Sequence, residues 1–118
     1  MDQLYGEIIL EHWKNPHHYG SIQDATIDVK ENNPLCGDTI HITVSLKSAK
    51  ITDIAFTAQG CAISKAAASI LTDLVIDKSI DEIKQITPEK FLEEIGIEFT
   101  PARLKCALLA YTVLQKEI

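Results

Sequence analysis

Hydrophobic and polar positions divide the chain into a helical opening, an alternating middle and a helical second half. Near the start, Leu4, Tyr5, Ile8, Ile9, His12 and Trp13 recur at spacings of three and four, the period of one helix face. Asp2 can cap this helix, and Asn15-Pro16 ends it, because a residue before proline is pushed out of the α region. Residues 17–25, marked by Tyr19-Gly20-Ser21, read as a loop. The period then changes to two. Ala25, Ile27 and Val29 share one face of a short strand. Ile40, Ile42, Val44 and Leu46 share one face of a longer strand, with His41, Thr43, Ser45 and Lys47 on the other. Ser48-Ala49-Lys50 supplies a turn, and Ile51, Ile54, Phe56 and Ala58 mark a partner strand. Two alternating strands joined by a tight turn predict an antiparallel hairpin with one wet face.

After Gly60-Cys61 the pattern is helical. Ala62 to Val75 is rich in Ala, Leu and Ile. Ser79-Ile80-Asp81-Glu82 has the form of a capping box. Thr87-Pro88-Glu89 opens another helix that Gly96 can close, and Thr100-Pro101 repeats the opening device. Leu104, Leu108, Tyr111 and Leu114, with Ala107 beside them, form the apolar stripe of a final helix. Helix, three strands, then helices predict an α+β fold, a three-stranded antiparallel sheet packed against helices on one face. No repeat, low-complexity stretch or linker interrupts this order, so residues 1–118 read as one domain.

Composition narrows the function classes. A chain of 118 residues that is 46% hydrophobic can build one real core. Lys and Arg number 11 against 17 Asp and Glu, for a net charge of -6. That sign argues against a nucleic-acid binder, which needs surplus cations to displace phosphate counterions. No apolar run reaches the roughly 18 residues that a membrane span needs. The start, Met1-Asp2-Gln3-Leu4, lacks the features of a signal peptide, so the expected compartment is the cytoplasm. Three cysteines cannot close a disulfide framework. They imply a reducing compartment, with thiols that are either inert in the core or act as ligands and nucleophiles.

Each cysteine sits at or near a junction between predicted elements. Cys36 lies in the turn Asn33-Pro34-Leu35-Cys36-Gly37-Asp38, Cys61 follows Gly60 where strand gives way to helix, and Cys106 falls early in the last helix. A thiol near a helix N-terminus feels the positive end of the macrodipole, which favours the thiolate that binds metal or attacks electrophiles. Free cysteine is also among the most buried residue types. Cys106 beside Leu104 and Leu108, and Cys61 between Gly60 and Ala62, can therefore be read as packing. Cys36 differs, because Gly37 allows close approach and Asp38 offers a second ligand on the same side of a strand. The separations match no local zinc spacing, so inert thiols and one shared site both stand on pattern alone. Of the four histidines, His17 and His18 read as exposed loop residues, His41 as a solvated strand position and His12 as an amphipathic border.

Three segments, taken together and in order, carry a family resemblance: Asn33-Pro34-Leu35-Cys36-Gly37-Asp38, Gly60-Cys61-Ala62-Ile63-Ser64 and Pro101-Ala102-Arg103-Leu104-Lys105-Cys106. They resemble the iron–sulfur scaffold family of IscU, SufU and the N-terminal domain of NifU. The opening from Leu4 to Pro16 also looks like that family's first helix with its Asn-Pro. The resemblance implies a fold in which Cys36, Cys61, Cys106 and Asp38 converge at one exposed end. These four residues would hold a [2Fe–2S] cluster or iron, or alternatively zinc, with Asp38 as fourth ligand or labilising neighbour. It also implies a PLP-dependent cysteine desulfurase as sulfur donor and apo iron–sulfur proteins as acceptors. Cys106 would be the sulfur acceptor, its thiolate favoured by Lys105 and Arg103.

The chain departs from the IscU branch, which usually places His directly before the third cysteine, where Lys105 stands here. This moves it toward SufU, as does Gly60-Cys61-Ala62-Ile63-Ser64. It nevertheless lacks the insertion that SufU-type chains carry before the last helix. Phe99-Thr100-Pro101-Ala102-Arg103 replaces the Leu-Pro-Pro-Val-Lys segment by which IscU engages a dedicated Hsp70 chaperone, so the resemblance does not carry that partnership over. The functions implied are therefore a cluster-assembly scaffold or, as the alternative, a zinc-dependent sulfurtransferase. No nucleic-acid or membrane partner is expected, and the chain is expected to be a monomer or weak homodimer.

Overall fold

Burial of one face of an alternating sheet against helices sets the architecture. The computed structural model describes residues 2–33, 37–96 and 98–118; Cys36, with Pro34 and Leu35, lies outside the described residues, as do the side chains of Asp2, Leu4, Tyr5 and Ala102. The elements are α1 (Asp2–Lys14), β1 (Ile27–Asn33), β2 (Asp38–Lys47), β3 (Lys50–Gln59), α2 (Ala62–Val75), α3 (Ile80–Lys84), α4 (Pro88–Ile95) and α5 (Pro101–Glu117). The strands pair in the order β1-β2-β3, both pairs antiparallel. The register sets Val29 beside Ile42, Ile42 beside Phe56 and Val44 beside Ile54. Ile40, Ile42, Val44, Ile54 and Phe56 are all buried, and one core cluster joins them to Leu71, Phe91, Ala107 and Leu114 of the helices. The predicted α+β arrangement is therefore the observed one.

Helix α2 packs against α1, α5 and β3. It is buried without interruption from Ala66 to Thr72, and small side chains there let its neighbours approach on several sides. The end signals of the shorter helices act as expected. Ser79 and Glu82 form a reciprocal capping box at α3, Thr87 caps α4, and Gly96 closes α4 in the left-handed conformation.

Three details differ from the sequence expectation. Strand β1 begins at Ile27 rather than Ala25 and continues through the polar run Lys30-Glu31-Asn32-Asn33, because β2 offers ladder partners as far as Asp38. Thr43, expected on a wet face, is 1% exposed. The loop after α1 crosses over it, and the Ile22 amide donates to Thr43 Oγ1 at 3.0 Å. That loop is tied to the outer edge of β3 by Phe56 N–H to the His18 carbonyl and Gly20 N–H to the Phe56 carbonyl, which shields part of an exposed strand edge. In α5 the buried stripe runs through Cys106, Ala107, Ala110, Tyr111, Val113 and Leu114, while Leu104 and Leu108 are only half-buried. Among the described residues, no helix is long and apolar enough to cross a membrane.

The β2–β3 turn puts both Ser48 (φ 54°) and Ala49 (φ 61°) in the left-handed region, as a two-residue hairpin of primed type demands. Neither is the Asn or Gly that such a turn prefers. The Ala49 carbonyl accepts from the Ile80 amide at 2.9 Å, so the start of α3 holds the tip in place. Ala49→Gly should relieve the left-handed cost and raise stability by about 1 kcal/mol, read as a higher urea midpoint with unchanged slope. An unchanged or lower midpoint would contradict a strained tip.

Candidate metal centre

Asp38 has the same strand parity as Ile40 and Ile42, so its side chain points to the helix side of the sheet. It is fully buried, a place where a carboxylate is tolerated only if its oxygens are hydrogen-bonded. Oδ1 accepts the Cys61 amide at 2.8 Å. Oδ2 receives the Ser64 hydroxyl, and the Cys61 thiol donates to it at 3.4 Å. The Ser64 oxygen also lies 3.2 Å from the Cys106 carbonyl. One carboxylate thereby joins the end of β2 to the start of α2, and Ser64 extends the link to α5.

Gly60 makes this approach possible. It turns the chain from β3 into α2 at φ +128°, and a Cβ at its position would stand 1.9 Å from Asp38 Oδ1 and 2.9 Å from Asp38 Cα. Its turn places Cys61 as the N-cap of α2, with no capping bond from its own side chain. Cys61 is half-buried; Cys106, on the buried side of α5, is 5% exposed.

The structure brings Asp38, Cys61 and Cys106 together, with one ligand atom from each lying within 4.8 Å of the others. Two sulfurs and a carboxylate oxygen from three separate elements suit a borderline or thiophilic metal. Arg103 and Lys105 are exposed on the first turns of α5, Arg103 one turn before Cys106 on the helix surface. The sequence reading did not single out Ser64 or Gly60 as part of this site. Their signal was present: Gly60 directly precedes a cysteine at a strand-to-helix junction, and Ser64 stands one helical turn after it.

His17 is exposed and His12 half-buried, as expected, whereas His18 and His41 are half-buried rather than solvated. His41 Nε2 pairs with Asp28 at 2.6 Å across neighbouring strands. His12, His17 and His18 all reach residues of α2, through Ser69, Asp73 and Thr72.

Residues 4–118 match the family described as NifU-like N terminal domain. The chain belongs to that family. Among its relatives, it is 37% identical to the iron–sulfur cluster assembly scaffold protein IscU of Streptococcus pyogenes, an alignment covering 100% of this chain and 84% of that protein. It is 33% identical to the zinc-dependent sulfurtransferase SufU of Bacillus subtilis, covering 100% of this chain and 91% of that protein. The fold is shared with a NifU-like N-terminal protein from Brucella abortus, whose crystal structure superposes with a TM-score of 0.79 at 22% identity over 98% of this chain and 92% of that one. The alignments to the Streptococcus and Bacillus proteins each run to 135 positions against 118 residues here. Both relatives therefore carry residues that this NifU-like chain does not match.

If Gly60 exists to admit Asp38, Gly60→Ala should lower stability by at least about 2 kcal/mol. The loss should be smaller when measured in an Asp38→Ala background, because the closest overlap is then gone. Urea denaturation of the four proteins of this cycle checks it; strictly additive losses would show that the two positions do not meet.

Proposed function

We propose that this chain is an iron–sulfur cluster assembly scaffold that builds a labile [2Fe–2S] cluster on Cys36, Cys61, Cys106 and Asp38 and passes it to apo-proteins. One observation supports this above the others: a buried carboxylate and two thiols from three elements share one point in a NifU-like chain. The donor set suits cargo. Three thiolates hold soft iron well, and a carboxylate oxygen matches it less well, whereas permanent ferredoxin centres use four thiolates. Asp38 is also committed to Cys61 and Ser64, so a metal must share it with bonds that hold the fold.

Sulfur arrives as a persulfide on a PLP-dependent cysteine desulfurase. The Cys106 thiolate attacks the outer sulfur, the donor's S–S bond breaks, and the donor thiolate leaves. Reduction of the transferred sulfur to sulfide takes two electrons from a separate reductant. Cys106 is 5% exposed, so docking must uncover it. Arg103 and Lys105, exposed on the same helix, stand where a docking partner meets them and where positive charge favours a thiolate. Cytoplasmic residence fits thiols that must stay reduced.

A second reading is favoured by the likeness to the Bacillus protein over the whole chain: a zinc-dependent sulfurtransferase. The same four residues would hold zinc in a set of three sulfurs and one oxygen, which would keep the thiols together and deprotonated. Asp38 and Ser64 would orient the site, and Cys106 would take the persulfide.

Metal and acid-labile sulfide content of protein purified without oxygen separates the readings. The scaffold should take up iron and sulfide on anaerobic reconstitution and absorb in the visible. Failure to do so, with tight stoichiometric zinc and faster desulfurase turnover, would establish the sulfurtransferase instead. For the scaffold, Asp38→Ala should give a cluster that persists longer and transfers more slowly. Faster loss of cluster from a folded Asp38→Ala protein would remove Asp38 as the labilising group.

A further inference from the structure

A second cluster of ligating side chains lies on the face of α2 that meets α1, separate from the thiols. We propose that His12, His17 and Asp73 form a site for a borderline divalent transition-metal ion such as iron(II), cobalt(II) or zinc(II). One ligand atom from each of the three lies within 4.8 Å of the others. They come from α1, the loop that follows it and α2, so the fold rather than local sequence assembles them.

The cluster is held from beneath by a buried hydroxyl. Ser69 Oγ, fully buried, pairs with His12 Nδ1 at 2.7 Å and accepts the His17 backbone amide at 2.8 Å. Fixing one ring nitrogen of a histidine while its other nitrogen meets the metal is how ligating imidazoles are commonly oriented. The His12 and His17 rings are 4.6 Å apart and tilted by 47°. Asp73 Oδ2 lies 2.5 Å from His17 Nδ1, and Asp73 Oδ1 lies 3.5 Å from His18 Nδ1. The His17 and Asp73 side chains are 45% and 41% exposed. An ion pair so open to water contributes little, so an entering cation displaces a weak competitor.

Two imidazoles and one carboxylate, protein-held on one side and open to water on the other, leave coordination positions free. That donor set selects borderline ions over soft copper(I) and over magnesium or calcium. Cys61 and Asp73 stand roughly 18 Å apart along the α2 axis at the ordinary helical rise. The two sites are therefore independent, and this one does not rest on the scaffold reading.

Anaerobic titration of the full chain with cobalt(II) alone tests the proposal, because thiolate-bound cobalt has an intense near-ultraviolet band that a site of nitrogen and oxygen lacks. The expected result is two equivalents bound, only one of them developing that band. His17→Ala and Asp73→Ala, both at exposed positions, should each lose the band-free equivalent or weaken it at least about tenfold, leaving the thiolate band intact. Ser69→Ala should weaken the same equivalent about tenfold without touching the band, and Cys106→Ser should do the reverse. A parent protein that binds no equivalent lacking the thiolate band overturns the proposal. So does a second equivalent that survives both His17→Ala and Asp73→Ala.

Discussion

The hydrogen bonding of the buried Asp38 carboxylate is the constraint on which the rest of this structure turns. An ionisable group with no exposed surface has to be satisfied from within. Among its partners are the Cys61 amide, the Ser64 hydroxyl and the Cys61 thiol, at the N-cap and first turn of α2. Those bonds seat α2 on the end of the sheet. They require a residue without Cβ at position 60, and through Ser64 they draw in the Cys106 carbonyl of α5. Folding and the candidate metal centre therefore rest on the same atoms.

That coupling has a consequence for how the centre holds a metal. The Asp38 oxygens are engaged before any metal arrives, and the two described thiols differ in exposure, one half-buried and one almost covered. Such a site is ordered by its own hydrogen bonds, and an entering metal would have to share Asp38 with them. Helix α2 extends the logic along its length. Its small residues let α1 and α5 close in, its first turn meets the thiols, and its later turns, through Ser69, Thr72 and Asp73, gather three histidines.

Much of the fold was legible in the sequence because it follows from short-range rules. Alternation at Ile40, Ile42 and Val44 and again at Ile54 and Phe56 specified two inward faces, and the capping patterns at Ser79 and Thr87 specified helix starts. The polar end of β1 was not legible, because Lys30 to Asn33 become strand only through the ladder that β2 supplies. Burial of Thr43 was hidden for a similar reason, since the loop that covers it is distant in the chain. The partial burial of His18 and His41 was hidden for the same reason, since Thr72 and Asp28, their partners, lie on other elements.

The sequence by itself determined the chemistry available: three thiols, an aspartate two residues after the first of them, a glycine before the second and an α+β pattern to carry them. Only the tertiary structure decided which of these groups meet. Asp38, Cys61 and Cys106 belong to three elements far apart in the chain, and pattern alone left both inert thiols and a shared site open. Packing of the sheet against α2 and α5 brings Asp38, Cys61 and Cys106 to one place, with Asp38 bonded to the Cys61 amide and the Ser64 hydroxyl at the head of α2. Local rules act over a helical turn or a strand pair, whereas the meeting of these ligands is set by how whole elements bury their apolar faces.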